Sequence, residues 1–237
     1  MHPVAAFLVA AIAAWLVVLG ISIAVGLLVT EVIVPIDAVS DADEWLPSEL
    51  EEQRTPFLTD ASVVLEFLSG GKMLPGILIV TTIVCAWFRR WRIAAFLVFA
   101  LGLESATYRV TSILTPRERP DVERLEMLDP DASYPSGHTA ASIAVYVGLA
   151  ALATSRIRHR GARIAIWTVA LLIPPIVALA RMYRGMHHPL DVLGGVLVGV
   201  LALLVIALFA SRVAGAVQEE RRGQTRSRAL PAEEPAR

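Results

Sequence analysis

Six long apolar runs constrain the fold of this chain more than any other feature of its sequence. An α-helix needs about 20 apolar residues to cross the hydrocarbon core of a bilayer, and each run approaches that length. The runs lie at residues 4–29, 72–88, 93–114, 139–154, 164–183 and 190–210. Hydrophobic residues make up 56% of the 237 residues, more than a soluble domain of this size accommodates. The sequence therefore predicts an all-α, polytopic membrane bundle with six transmembrane helices.

The distribution of arginines over the loops predicts how the bundle is oriented. With six spans, the loops after the second and fourth spans and the C-terminal tail lie on one side of the membrane. These segments contain Arg89, Arg90, Arg92, Arg156, Arg158, Arg160, Arg163, Arg212, Arg221, Arg222, Arg226 and Arg228. Loop 35–71 has nine acidic residues and Arg54 as its single basic one. Because loops rich in Lys and Arg stay in the cytoplasm, both termini are predicted to be cytoplasmic, with loop 35–71 outside the inner (plasma) membrane.

The same patterns divide the chain into three parts. Residues 1–71 hold the first transmembrane helix and the acidic outer loop, residues 72–210 the helical core, and residues 211–237 a tail predicted to be a disordered cytoplasmic segment. The acidic loop is expected either to form a short amphipathic helix on the membrane or over the site, or to be a solvated connector. A net charge of −1 offers no basis for nucleic-acid binding, and the expected surroundings are the lipid bilayer.

Two outer segments carry polar residues that a plain connecting loop does not need. One ends in Pro135-Ser136-Gly137-His138, just where the fourth span begins. A helix N-terminus presents unpaired backbone N–H groups and a partial positive charge, which favour an anion. Gly137 allows a close approach of the backbone, and the Ser136 hydroxyl adds a donor. The sequence therefore predicts an anion site here, although the same residues also suit a simple helix cap.

The second segment joins the fifth and sixth spans and supplies candidate catalytic groups. Asp191 follows His187 by four residues, so its carboxylate can reach the imidazole and make it a better nucleophile. His138 is then free to protonate a leaving oxygen. Arg119 and Arg181 can each bind phosphate oxygens in a bidentate manner. Together these residues suit phosphoryl transfer through a phosphohistidine, with charge stabilised by arginines and backbone dipoles rather than by a metal. Singly, each also has a structural interpretation, such as Arg181 reaching the membrane interface or Asp191 facing a helix dipole.

These residues resemble the signature of the type 2 phosphatidic acid phosphatase (PAP2) family, the membrane relatives of vanadium haloperoxidases and bacterial class A acid phosphatases. The family pattern is Lys-x6-Arg-Pro, then Pro-Ser-Gly-His, then Ser-Arg-x5-His-x3-Asp. The second part is complete at 135–138, and the first matches at Arg119-Pro120. The third matches at Arg181, His187 and Asp191. The resemblance covers about residues 72–210.

The resemblance implies a role for each matched residue and a metal-independent reaction without a cofactor. By this resemblance the phosphate ligands are Arg119, Ser136, Gly137 and Arg181, the general acid is His138, the nucleophile is His187, and its partner is Asp191. Two positions depart from the pattern: Ser112 stands where the family has Lys, and Ala180 where it has Ser. Arg117 or Arg109 could replace the lost cation, and the sequence leaves both alternatives open.

The function implied is hydrolysis of a lipid phosphate at the periplasmic or extracellular face. The resemblance suggests undecaprenyl diphosphate, phosphatidic acid or phosphatidylglycerol phosphate as the substrate, and the sequence does not choose among them or indicate an oligomeric state. One alternative is a non-enzymatic protein that binds or transports lipid phosphates, given Ser112 and Ala180. A haloperoxidase-like oxidase that holds vanadate in the same pocket is a second alternative, which a membrane-buried bundle without a large soluble domain disfavours.

Overall fold

The structure is a computed structural model that describes the backbone of residues 3–229 and the side chains of residues 9–91, 94–209 and 211–212. Within this part of the chain, regular structure is helical apart from an isolated β-bridge between Arg117 and Ala132. The helices are α1 Pro3–Leu28, α2 Asp37–Glu52, α3 Pro56–Ser69, α4 Met73–Trp87, α5 Trp91–Leu114, α6 Gly137–Ser142, α7 Gly148–Thr154, α8 Arg160–Tyr183 and α9 Pro189–Ala229. π-Helical turns extend α1 at Val29–Ile33 and join α6 to α7 at Ile143–Val147.

Five helical stretches are long and apolar enough to cross a membrane. They are Val9–Ile33, Ala94–Leu114, Gly137–Thr154, Arg160–Tyr183 and Pro189–Phe209. The helix α4 reaches this length only together with α3, from which it is bent by 42°. The second predicted span, 72–88, is therefore one half of a bent pair, since its apolar run alone is short for a bilayer. The prediction of an all-α membrane bundle is confirmed.

Close contact between α9 and the start of the fourth span brings the two motif-bearing segments together. A Cβ atom on Gly199 would lie 2.7 Å from the Ala140 carbonyl oxygen, and one on Gly194 would lie 2.5 Å from the Tyr134 ring. Only glycine lets the helices approach this closely without a shift of the neighbours. Close packing at these glycines therefore positions the beginning of α9 beside residues 134–140.

The acidic loop 35–71 folds into α2 and α3, and both helices contact the loops that carry the motifs. Asp43 of α2 is 4% exposed and forms an ion pair with Arg117. Arg54, between the two helices, donates to the carbonyl oxygens of Glu123 at 2.8 Å and Tyr183 at 3.0 Å. Of the two alternatives for this loop, the structure shows the helical one. The loop is a folded layer against the segments that carry the motifs and not a solvated connector.

The C-terminal segment differs from the disorder expected for residues 211–237. The backbone of α9 continues as a helix to Ala229, while residues 230–237 lie outside the described part of the chain. The helix has a physical basis because Ala, Glu, Gln and Arg are good helix formers and the span before them has already nucleated the helix.

Candidate active site

The three segments singled out from the sequence meet at one end of the bundle. The Ser136 backbone N–H donates to the Asp191 carbonyl oxygen at 2.8 Å, which ties the fourth span to the start of α9. Nη1 of Arg119 donates to the Met186 carbonyl oxygen at 2.5 Å, which ties loop 115–136 to the α8–α9 junction. The Ser133 hydroxyl donates to Asp191 Oδ2 at 2.6 Å. The predicted site residues that these segments carry therefore surround one region.

His187 is buried, and its ring is oriented by a backbone carbonyl. Its Nδ1 lies 2.7 Å from the Ser133 carbonyl oxygen, which only accepts, so Nδ1 carries the hydrogen and Nε2 keeps its lone pair. Burial lowers the pKa of His187 well below its usual value, and the positive charge of Arg181 lowers it further. The imidazole is therefore neutral at pH 7, which is the state that a nucleophile requires.

The direct hydrogen bond predicted from Asp191 to His187 is replaced by a different arrangement. Asp191 Oδ2 is 3.9 Å from His187 Nδ1, beyond hydrogen-bond distance. The carboxylate is fully buried and accepts instead from Arg117 Nη1 at 2.5 Å, from Ser133, and from the His188 backbone N–H at 2.7 Å. Asp191 thus acts on His187 through its nearby charge and through Ser133, whose carbonyl group holds the imidazole ring.

Of the two arginines proposed as substitutes for the family lysine, Arg117 is paired with carboxylates and Arg109 is exposed. Arg117 directs one terminal nitrogen to Asp191 and the other to Asp43 of α2. Burial alone would lower the pKa of Arg117, but the charges of these two carboxylates raise it above its usual value. Arg109 is exposed on α5, and none of the hydrogen bonds or ion pairs found among the described side chains joins it to the site. Arg117 is therefore engaged by Asp43, a residue distant from it in sequence, and the replacement of the lysine by either arginine stays a prediction.

Arg119 is held rigidly by backbone carbonyl groups. Its Nε, Nη1 and Nη2 donate to the carbonyl oxygens of Asp129 at 2.8 Å, Met186 at 2.5 Å and Ala132 at 2.9 Å. A guanidinium has five N–H donors, so this arrangement leaves N–H groups of Nη1 and Nη2 available. Burial lowers the pKa of Arg119, and the charge of Arg181 lowers it further. Two cations that repel each other in a buried region favour an anion between them.

Arg181 provides the most direct sign of an anion site. Its side chain is fully buried, and Nη1 donates to Glu126 Oε1 at 2.7 Å. Its Nε and Nη2 are buried and have no hydrogen-bond partner among the described residues. Buried charged donors without a partner are costly in a folded protein, and a bound anion removes that cost.

The Pro-Ser-Gly-His segment lies beside these groups, as predicted. A Cβ on Gly137 would lie 2.9 Å from the Tyr108 ring of α5, so any other residue here would force that ring to shift. Ser136 is fully buried, and its hydroxyl is 3.0 Å from that of Thr139, where either oxygen can donate. His138 is half-buried at the start of the fourth span and is near enough to His187 to lower the pKa of that residue.

Several residues of the site were not identified from the sequence. His188, the second histidine of the pair, places Nδ1 3.2 Å from Asp191 Oδ2 and Nε2 2.9 Å from Glu44 Oε2. Glu126 bridges Arg181 and Arg184. A signal for His188 was present in the motif itself. Glu44 and Glu126 had none, because each contacts a site residue that is far from it along the chain: Glu44 contacts His188, and Glu126 contacts Arg181.

Comparison with known proteins identifies the family. The family model of the PAP2 superfamily matches residues 93–214, just over half of the chain. The chain belongs to the PAP2 superfamily. The resemblance inferred from the three motifs is confirmed, and all three of them lie within the matched range.

Individual relatives agree with this membership. Phosphatidylglycerophosphatase B of Bacillus subtilis (strain 168) is 23% identical over 181 residues, which cover 75% of this chain and 87% of that protein. The crystal structure of a transmembrane PAP2-type phosphatidylglycerolphosphate phosphatase from Bacillus subtilis matches with a TM-score of 0.73 at 22% identity, over 81% of this chain and 96% of that one. LpxE from Aquifex aeolicus matches with a TM-score of 0.57 at 23% identity, over 70% of this chain and 95% of that one. The protein is a multi-pass membrane member of the PAP2 superfamily.

Proposed function

We propose that this protein hydrolyses a phosphomonoester or pyrophosphate of a membrane lipid, with His187 as the nucleophile. The observation that carries the proposal is the buried imidazole of His187, oriented by the Ser133 carbonyl oxygen and close to Arg181, whose Nε and Nη2 lack partners among the described residues. A tetrahedral phosphoryl group bound by those N–H groups would face the free Nε2. The same fork geometry makes arginine suited to phosphate.

The proposed hydrolysis has two steps. In the first, Nε2 of His187 attacks phosphorus, the P–N bond forms, the P–O bond to the lipid breaks, and His138 gives its proton to the leaving oxygen. In the second, water attacks the phosphohistidine, His138 accepts a proton from that water, and inorganic phosphate is released. Arg119, Arg181, Ser136 and the backbone of Gly137 stabilise the negative charge, and neither step requires a metal.

Asp191 supports both steps without receiving a proton. His187 gains positive charge as its Nε2 bonds to phosphorus, and a carboxylate 3.9 Å from Nδ1 stabilises that charge. Asp191 also acts through Ser133. The Ser133 hydroxyl donates a hydrogen bond to Asp191, and the carbonyl oxygen of the same residue accepts one from His187 Nδ1. Asp191 is thus a positioning residue as well as a source of electrostatic stabilisation.

A groove beside the site is suited to the apolar part of a lipid. Its volume is about 850 Å³, and it runs between the fourth, fifth and sixth spans. Thr139, Met182 and Val192 line its outer end, each next in sequence to a proposed site residue, whereas Phe96 and Ala207 line its inner end. An acyl or prenyl chain in this groove would leave its phosphate at the level of His187.

The similarity to a phosphatidylglycerophosphatase supports phosphatidylglycerol phosphate as the first substrate to test, beside phosphatidic acid and undecaprenyl diphosphate. The arginine-rich loops support an orientation with both termini in the cytoplasm and the site facing the periplasm or extracellular space. In that orientation the protein would dephosphorylate lipids of the outer leaflet.

Phosphate release by the detergent-solubilised protein tests the proposal with these three lipids. We expect release in the presence of EDTA, no turnover by His187→Ala, and an acid-labile, base-stable phosphoryl group on the wild-type protein after rapid quenching. Binding of the lipids without any phosphate release would favour a binding or transport protein. Substantial activity of His187→Ala would show that another residue is the nucleophile, and loss of activity with EDTA would indicate a metal-dependent reaction.

A further inference from the structure

An acidic side chain occupies part of the cationic site. Glu126 Oε1 accepts from Arg181 Nη1 at 2.7 Å and from Arg184 Nε at 2.5 Å, and the Glu126 side chain is only 16% exposed. Burial alone would raise the pKa of Glu126, but the charges of Arg181 and Arg184 lower it below its usual value. Glu126 is therefore an ionised carboxylate in direct contact with a proposed phosphate ligand.

Arg184 has hydrogen-bond partners other than Glu126, so its guanidinium group is held beside Arg181 independently of that carboxylate. Arg184 is 5% exposed; its Nη1 donates to Ser62 Oγ of α3 at 3.0 Å and its Nη2 to the Leu125 carbonyl oxygen at 3.3 Å, with Glu66 Oε2 3.8 Å away. The paired guanidinium groups form an anion position next to the free nitrogens of Arg181. In this structure Glu126 fills that position.

A lipid monophosphate and a lipid diphosphate need different numbers of cationic positions in such a site. The phosphoryl group of a monoester carries a charge close to −2 and is served by Arg119 and the free nitrogens of Arg181. A diphosphate adds a second phosphoryl group directly beside the first, and the neighbouring cationic position is the one between Arg181 and Arg184. There it would meet the Glu126 carboxylate, and like charges repel strongly where water is largely excluded.

We propose that Glu126 is a specificity-determining residue that makes this site select lipid phosphomonoesters over lipid diphosphates. The proposal rests on the phosphatase function proposed above. Glu126 acts through occupancy and charge: it fills the second anion position, and it leaves the free nitrogens of Arg181 for a single phosphoryl group. Of the two substrate classes proposed above, the lipid pyrophosphates are therefore disfavoured.

Glu126→Gln provides the test because it keeps a carbonyl oxygen for the arginines and removes the negative charge. The assay compares kcat/KM for farnesyl phosphate and farnesyl diphosphate, which share one lipid tail. We expect the wild type to prefer the monophosphate and the preference to fall about tenfold or more in Glu126→Gln, mainly through a lower KM for the diphosphate. Glu123→Gln is the matched control, since Glu123 lies on the same loop with its side chain 80% exposed, and its preference should equal that of the wild type.

Inhibition of the wild type by inorganic anions provides a second measurement that needs no variant. Phosphate should inhibit more strongly than pyrophosphate at equal concentration. A wild type that prefers the diphosphate, an unchanged preference in folded Glu126→Gln, or stronger inhibition by pyrophosphate would each overturn the role of Glu126. These results differ from failure of the phosphatase function itself, in which the wild type releases phosphate from neither substrate.

Discussion

Replacement of Arg181 tests most directly whether an anion site exists where the structure shows unpartnered cationic donors. Nε and Nη2 of Arg181 are buried without partners among the described residues, while Nη1 is held by Glu126. A hydrogen bond involving a charged group contributes about 1.5–3 kcal/mol, so two such bonds to phosphate contribute about 3–6 kcal/mol. We therefore expect Arg181→Ala to lower kcat/KM by about 10²–10⁴-fold.

Arg181→Lys separates the charge of this residue from its geometry. Lysine keeps the positive charge but offers a single ammonium group in place of two fixed N–H donors. The loss of one bond predicts a decrease in kcat/KM of about 10–100-fold, between the wild type and Arg181→Ala. A further expectation is that vanadate, a mimic of five-coordinate phosphorus, raises the melting temperature of the wild type and not that of Arg181→Ala.

The assay is steady-state phosphate release in detergent with a short-chain lipid phosphate, accompanied by thermal denaturation to confirm folding. Arg109→Ala serves as the control, because Arg109 is exposed on α5 and has no described contact with the site. Its kcat/KM should remain that of the wild type. Folded Arg181→Ala with kcat/KM within about threefold of the wild type would refute the phosphate-binding role, since it would assign less than 1 kcal/mol to both donors.

Two further predictions concern stability. Asp43→Asn removes one carboxylate from Arg117, whereas Asn keeps an oxygen for the Leu190 backbone N–H, which donates to Asp43 Oδ1 at 2.9 Å in the wild type. We expect the free energy of unfolding to fall by about 2 kcal/mol. A melting temperature equal to that of the exposed control Asp41→Asn would contradict this. The pKa of His187 is lowered in the folded protein, so the unfolded state takes up a proton that the folded state does not. The stability that this contributes is present above the unfolded pKa of about 6.5 and is lost as the pH falls below it. The melting temperature should therefore drop between pH values of about 7 and 5, and the drop should be smaller in His187→Ala; equal drops would exclude this contribution.

The motif residues were predictable because their chemistry depends on short spacings. Pro135 to His138 are consecutive, and His187 and Asp191 are separated by four residues at the start of one helix, so their proximity follows from local geometry. The hydrogen bond to His187 was not predictable, because the Ser133 carbonyl group lies in a different loop. The local spacing correctly placed the carboxylate near the imidazole but did not determine which oxygen would accept from it.

Ser112, which stands where the family has lysine, illustrates a second feature that could not be predicted from the sequence. Arg117 and Arg109 were equally acceptable on spacing, since both lie within two helical turns of Ser112 in the chain. Asp43 of α2 and Asp191 of α9 both approach Arg117, and their charges engage its guanidinium group. A buried arginine forms ion pairs with the nearest carboxylates, and the folded chain decides which carboxylates are nearest.

The sequence by itself determined that the chain is a helical membrane bundle, that its family is PAP2, and which histidines, arginines and aspartate to examine. These features depend on hydropathy over about 20 residues and on spacings within one turn of a helix, both of which are local. Only the tertiary structure decided that α2 contacts the loops that carry the motifs, that Arg117 joins Asp43 to Asp191, and that Glu126 lies between Arg181 and Arg184. Each of these contacts joins residues far apart in the chain, and helix packing, which places them together, is not encoded in any local pattern.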